Sequence, residues 1–184
     1  MKDLNARLDH LKSLIQEEDF LLGKGLSNEV NIRIFCYGAK EEMAVRYFTE
    51  HLKNEPLKCK VHIVDLYETL LSICEDKRIL ARIPQLEERR GKDFLAKQLE
   101  RSCDAKTFAH KIVEGFGNDK DVLMITGVGK VFPFMRVHSL LNALQEEMNE
   151  KPVVVFYPGE FNGHYLKLFN QLKANEYYRA FSIV

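Results

Sequence analysis

Two continuous apolar runs constrain the architecture of this chain more than any other feature. "DVLMITGV" (121–128) and "KPVVVFYPG" (151–159) place apolar side chains at successive positions, so neither face of either segment is written for water. Short runs of this kind, bounded by Gly or Pro, suit strands buried on both faces in the middle of a parallel sheet. Parallel neighbours need a crossover between them. The intervening segment supplies one: Phe134, Val137, Leu141, Leu144 and Met148 recur at helical spacing over 133–149.

The remaining pattern extends this unit. Leu4, Leu8, Leu11 and Ile15 predict an amphipathic helix over 3–18. Residues 30–37, "VNIRIFCY", predict a first strand, and 41–53 a helix with Met43, Ala44, Tyr47 and Phe48 on one side. "KCKVHIVDL" (58–66) sets Cys59, Val61 and Ile63 against Lys58, Lys60 and His62, the alternation of a strand with one wet face near a sheet edge. From 66 to 117 the pattern is helical in several pieces, with Asp104 a candidate N-cap, and it is longer than one crossover needs. After Gly163, "HYLKLFNQL" predicts a short helix, and "YYRAFSIV" a last strand. The expectation is one α/β domain over 1–184, Rossmann-like or P-loop-like. It has a mainly parallel five-stranded sheet, helices on both faces, an N-terminal helix and a helical insertion between strands 2 and 3.

Lys+Arg and Asp+Glu both number 27, so the formal net charge is zero, which argues against a dedicated nucleic-acid coat. No apolar run is long enough for a membrane span, and the charged N-terminus lacks a signal-peptide core. These features predict a cytoplasmic protein whose four cysteines, Cys36, Cys59, Cys74 and Cys103, stay reduced.

"TGVGKVFPFMRV" (126–137) has the look of a phosphate loop opening a helix. A P-loop requires G-x-x-x-x-G-K-[ST]. Here Met124 stands where the first glycine belongs and Val131 where the metal-binding hydroxyl belongs, so the loop is incomplete. A weaker anion site remains open, with free N–H groups at the strand end, Lys130 and Arg136 for charge, and Pro133 in the first helical turn. The favoured reading is a tight turn in which Gly127 and Gly129 serve geometry while Phe132 and Phe134 fill the core.

Other chemistry is thinner. Gly38 offers one glycine of a dinucleotide fingerprint, with Asp65 at the place of an acidic ribose partner. Glu160 and His164 follow the fourth strand as an acid–base pair or as a solvated turn. His138 shares a helix with Arg136 but has no visible partner. No metal motif, serine elbow or activated cysteine stands out. The expectation is a chain that is not an enzyme and carries no cofactor or metal.

Four segments give the sequence a family likeness: "FLLGKGLSNEVNIRIFCYGAKEEMAVRYF", "HIVDLYETLL", "LMITGVGKVFPFMRVHSLLNALQ" and "VVVFYPGEFNGHYLKLFNQLKANEYYRAF". Together they resemble the BrxB family of BREX bacteriophage-exclusion systems. The resemblance runs almost end to end and is least distinctive over about 76–118. It implies a role in phage defence within a complex that includes the phosphatase-like PglZ, the ATPase BrxC and the methyltransferase PglX. It brings no established active site. Gly127, Gly129, Lys130, Arg136 and Glu160 therefore stand as a candidate ligand or interface surface. The first expectation is an adaptor docking PglZ-like or BrxC-like partners, with DNA contact indirect or weak. The alternative is a nucleotide- or phosphate-responsive subunit using the 127–136 loop.

Overall fold

The computed structural model describes residues 3–24, 31–117, 119, 121–148, 151–173, 175–176 and 180–183. Val30 of the expected first strand, residue 149 of the expected helix, and residues 177–179 and 184 of the expected last strand lie outside the described residues.

Helices α1 (Leu4–Leu14) and α2 (Glu18–Leu21) precede β1 (Ile32–Tyr37), which leads through α3 (Glu42–Leu52) to β2 (Val61–Asp65). The helical insertion follows as α4 (Leu66–Asp76), a 3-10 turn (Leu80–Arg82), α5 (Ile83–Arg90), α6 (Lys92–Ser102) and α7 (Ala105–Phe116). Then come β3 (Val122–Thr126), the one-turn α8 (Val128–Val131), α9 (Val137–Glu147) and β4 (Val153–Phe161). The chain ends through β5 (Tyr165–Leu168), β6 (Asn175–Glu176) and β7 (Phe181–Ser182).

The strands run in the order β2-β3-β4-β1-β7, every neighbouring pair parallel. This is the expected parallel α/β sheet, and its two apolar runs do occupy the interior. β4 lies between β1 and β3, with Val153 level with Ile32 on one side and Leu123 on the other. Alternation then divides the side chains between two cores. Ile34, Ile125 and Val155 face α4, α7 and α9, while Phe35, Met124 and Phe156 face α1 and α3. Phe35 and Phe156 are fully buried, with ring centroids 5.5 Å apart. Burial of such a side chain contributes ~1.5–3 kcal/mol.

β2 is at the sheet edge, as its alternation implies, but its residues are half-buried rather than wet on one side. His62 lies edge-on to Phe116 of α7, with ring centroids 6.0 Å apart, so the insertion folds back over this edge. Asp104 caps α7, accepting a 2.8 Å bond from the Thr107 N–H. Within the insertion, the Cys74 and Cys103 thiols meet at 3.8 Å in the core, and α5 buries none of its residues fully.

Two expectations need correction. The segment read as a helix after Gly163 is instead β5, antiparallel to β4, with β6 beyond it, so the sheet has seven strands among the described residues. Tyr165, Leu166, Lys167 and Leu168 alternate exposed and buried, the period of a strand. Asn162 supplies the turn, its side-chain oxygen accepting from the N–H groups of His164 and Tyr165. The helix expected from 133 begins only at Val137. Pro133 disfavours helical backbone at the residue before it, and Phe132 is extended (ψ 136°), which stops α8 at Val131.

Candidate functional site

The parallel strands deliver Tyr37, Asp65, Thr126 and the β4 residue Tyr157 toward one edge of the sheet, where α/β proteins bind ligands. After β1, the Gly38 N–H donates to the Glu41 carboxylate at 2.7 Å, and the Tyr37 hydroxyl donates to Glu42 at 2.5 Å. Burial, and next the bond to Glu42, push the Tyr37 pKa far up, so the phenol stays protonated. After β2, Asp65 caps α4, accepting from the N–H groups of Tyr67 at 2.9 Å and Glu68 at 3.4 Å.

After β3, Gly127 takes the left-handed conformation (φ 75°) that lets the strand turn directly into α8. Its backbone lies against Asp65, and a Cβ there would be 2.6 Å from the carboxylate oxygen. Lys130 reaches from α8 to ion-pair with Asp65. The N–H groups of Lys130 and Val131 both return to the Gly127 carbonyl at 3.0 Å. The place where an anion would sit is therefore occupied by the protein's own carboxylate, already neutralised by the loop's own lysine. An incoming anion would have to displace Asp65 from Lys130 to use that charge.

Gly129 has a different reason to be glycine. A Cβ there would lie 2.8 Å from the Phe169 ring and 3.4 Å from Pro158. The bare backbone of α8 is the seat on which the turn after β5 packs. The two glycines thus serve packing of the loop against Asp65 and Phe169.

Arg136 and Glu160 lie elsewhere. Arg136 is the exposed N-cap residue of α9. Glu160 is exposed on β4, level with Lys167 of β5. Among the described residues no hydrogen bond or ion pair joins Glu160 to His164, which is exposed in the 162–164 turn. The structure brings Gly127, Lys130 and Asp65 together, seats Gly129 under Phe169, and sets Arg136 and Glu160 apart in separate surroundings.

Arg136 borders a cavity of about 200 Å³ between the start of α9 and β5. Tyr157, Leu166, Leu168 and Leu172 contribute its apolar walls, with Val128 and Met135 beside them. Arg136, His138 and Lys173 stand among the lining residues as its basic groups. This cavity escaped the sequence reading because three of its walls belong to β5 and the turn after it. Gly159, a lone glycine inside an apolar strand, was the available signal, since such glycines mark close approach of another backbone.

Two predictions follow from the geometry. Asp65→Ala removes the α4 cap and should lower stability by about 1 kcal/mol, whereas Asp65→Asn retains a capping oxygen and should cost less. Urea unfolding of both variants gives the comparison, and equal losses would contradict the capping role. His138 has a pKa below the usual histidine value, through burial and then the nearby Arg136 charge. The unfolded chain therefore takes up this proton first as pH falls. Stability should drop as pH descends from about 6.5 toward the lower native value. In His138→Gln that part of the pH slope should vanish, as read from urea midpoints between pH 7.5 and 5.5.

Among the described residues, no group of three or more His, Cys, Asp and Glu side chains is placed to hold a metal ion. No helix among them is long and apolar enough to cross a membrane. Against known proteins, the BrxB family profile, described as "BREX protein BrxB", matches residues 62–183. A "BREX protein BrxB" of Bacillus cereus (strain H3081.97) is 37% identical over 194 aligned positions, covering 100% of this chain and 99% of that one. The chain belongs to the BrxB family. A second member, from Escherichia coli O9:H4 (strain HS), is 31% identical and covers 98% of this chain and 92% of its own length. No solved structure matches significantly. The BrxB match spans Asp65, the α8 loop, Arg136, Glu160 and the whole cavity, and leaves α1 to α3 outside.

Proposed function

We propose that this BrxB-family chain is a non-enzymatic docking subunit of a BREX phage-defence complex, working in the cytoplasm. Its partners are the PglZ-like protein and the BrxC-like ATPase, with the PglX-like methyltransferase as a further member, and any contact with DNA is indirect or weak. The observation that carries this reading is the closed sheet edge. Glu41 and Asp65 occupy the backbone N–H groups of the turns after β1 and β2, and Asp65 with Lys130 fills the turn after β3. A phosphate-responsive subunit using residues 127–136 would need Asp65 to leave both its cap and its lysine. The zero net charge supports protein rather than nucleic-acid contacts. Surfaces for such contacts include the helical insertion, with Leu80 and Phe94 exposed, and α3, with Met43 and Tyr47 exposed.

The test is capture of the tagged full chain from cells carrying its complete operon. The expected result is recovery of the PglZ-like or BrxC-like protein in near-stoichiometric amount. Recovery of neither would sink the reading.

A further inference from the structure

Building on the docking reading, we propose that the cavity beside α9 is a socket for one large apolar side chain carried on an acidic segment of a partner protein. Three observations support that occupant. First, the size is right. A dry apolar cavity of about 150 Å³ accepts a benzene ring, so about 200 Å³ suits a single phenylalanine or leucine side chain. Small-molecule sites are usually larger, at ~300–1,000 Å³. Second, the walls suit an anchor: Tyr157, Leu166 and Leu168 are buried and, apart from the phenol, wholly apolar. Third, the charged groups have one sign. Arg136 and Lys173 are cationic, and no Asp or Glu is found among the described lining residues.

The socket also has rigid support. Leu166 and Leu168 are held by β5 pairing with β4, and Gly159 of β4 lies level with Leu168. Arg136 is held at the start of α9, where its carbonyl accepts from the Ser139 N–H at 3.0 Å. The anchor would therefore enter a largely formed site, which limits the ordering cost of docking. A carboxylate beside it would meet the exposed Arg136 at the rim. Arg136 is exposed, so changing it leaves the core intact.

The probe is an acidic dodecapeptide with one central phenylalanine, titrated into the ¹⁵N-labelled full chain. Controls replace the phenylalanine by alanine, or every acid by lysine. The acidic phenylalanine peptide should shift the amide signals of Tyr157, Leu166 and Leu168. Each control should bind about tenfold more weakly or worse. Arg136→Glu should weaken the acidic peptide by about tenfold and strengthen the lysine version. Equal binding of all three peptides, shifts confined to other surfaces, or no binding would overturn the socket. So would 4-phenylbutyrate binding as tightly as the peptide, which would make this a small-molecule site. Operon capture separates the two claims. If the unaltered chain captures BREX partners and Arg136→Glu captures them equally well, docking stands and the socket falls. If the unaltered chain captures none, the docking reading itself fails.

Discussion

Gly159→Ala is expected to cost about 3 kcal/mol of stability, the upper range for forcing extra volume into a packed site. At Gly159 the β5 strand crosses so closely that a Cβ would overlap the Lys167 carbonyl, and it would also lie 3.0 Å from the Tyr157 ring. The obstacle is backbone, so no side-chain rotation relieves it. The strands must separate at the pairs Gly159–Leu168 and Glu160–Lys167, and the cavity wall formed by Leu166 and Leu168 moves with them. Urea unfolding followed by circular dichroism should show a markedly lower midpoint. A midpoint within experimental error of the unaltered chain would contradict the strand assignment of 165–168.

Gly127→Ala is expected to cost about 2 kcal/mol, from two separable sources. Left-handed backbone costs a residue with a Cβ roughly 1 kcal/mol. The rest is collision with Asp65, whose carboxylate oxygen would be 2.6 Å from the new carbon. Because the second part depends on Asp65, it should disappear in its absence. A double-mutant cycle with Asp65→Ala should give a Gly127→Ala cost near 1 kcal/mol, a coupling of about 1 kcal/mol. Strict additivity would mean that Gly127 does not pack on Asp65, and the closed-edge account of the loop would lose its foundation.

The fold was legible where local pattern and tertiary demand coincide. The apolar runs of β3 and β4 announce strands needing neighbours on both sides and helices on both faces, and both cores are built that way. Asp104 could be read as a cap because capping is a local act. "HYLKLFNQL" was not legible in this way. Tyr165, Leu168 and Leu172 fit a helix, Leu166 and Leu168 fit a strand, and so short a stretch does not decide between them. The decision was made by Gly159, whose bare backbone admits a neighbouring strand.

The site divides along the same line. The incomplete P-loop was visible from the letters alone, because Met124 and Val131 stand in the wrong places. What closes the loop was not visible, because Asp65 and Lys130 lie 65 residues apart and meet only when β2 and β3 pair. Asp65 stands in sequence where a ribose partner belongs, and its observed work is capping α4 and neutralising Lys130. Arg136 suits a phosphate by its place in the loop, and it borders instead an apolar cavity whose far wall, by sequence pattern, reads as a helix.

The most direct measurement of the central claim is reconstitution from purified components. The full chain would be mixed with the PglZ-like protein, and separately with the BrxC-like ATPase, and each mixture sedimented with and without Mg-ATP. A docking subunit with a carboxylate-closed sheet edge predicts a complex with at least one partner whose amount is the same in both conditions, and it predicts that Lys130→Ala leaves that amount unchanged. A complex that forms only with ATP and is lost in Lys130→Ala, while an ATPase unable to bind nucleotide still supports it, would place nucleotide on this chain and contradict the account.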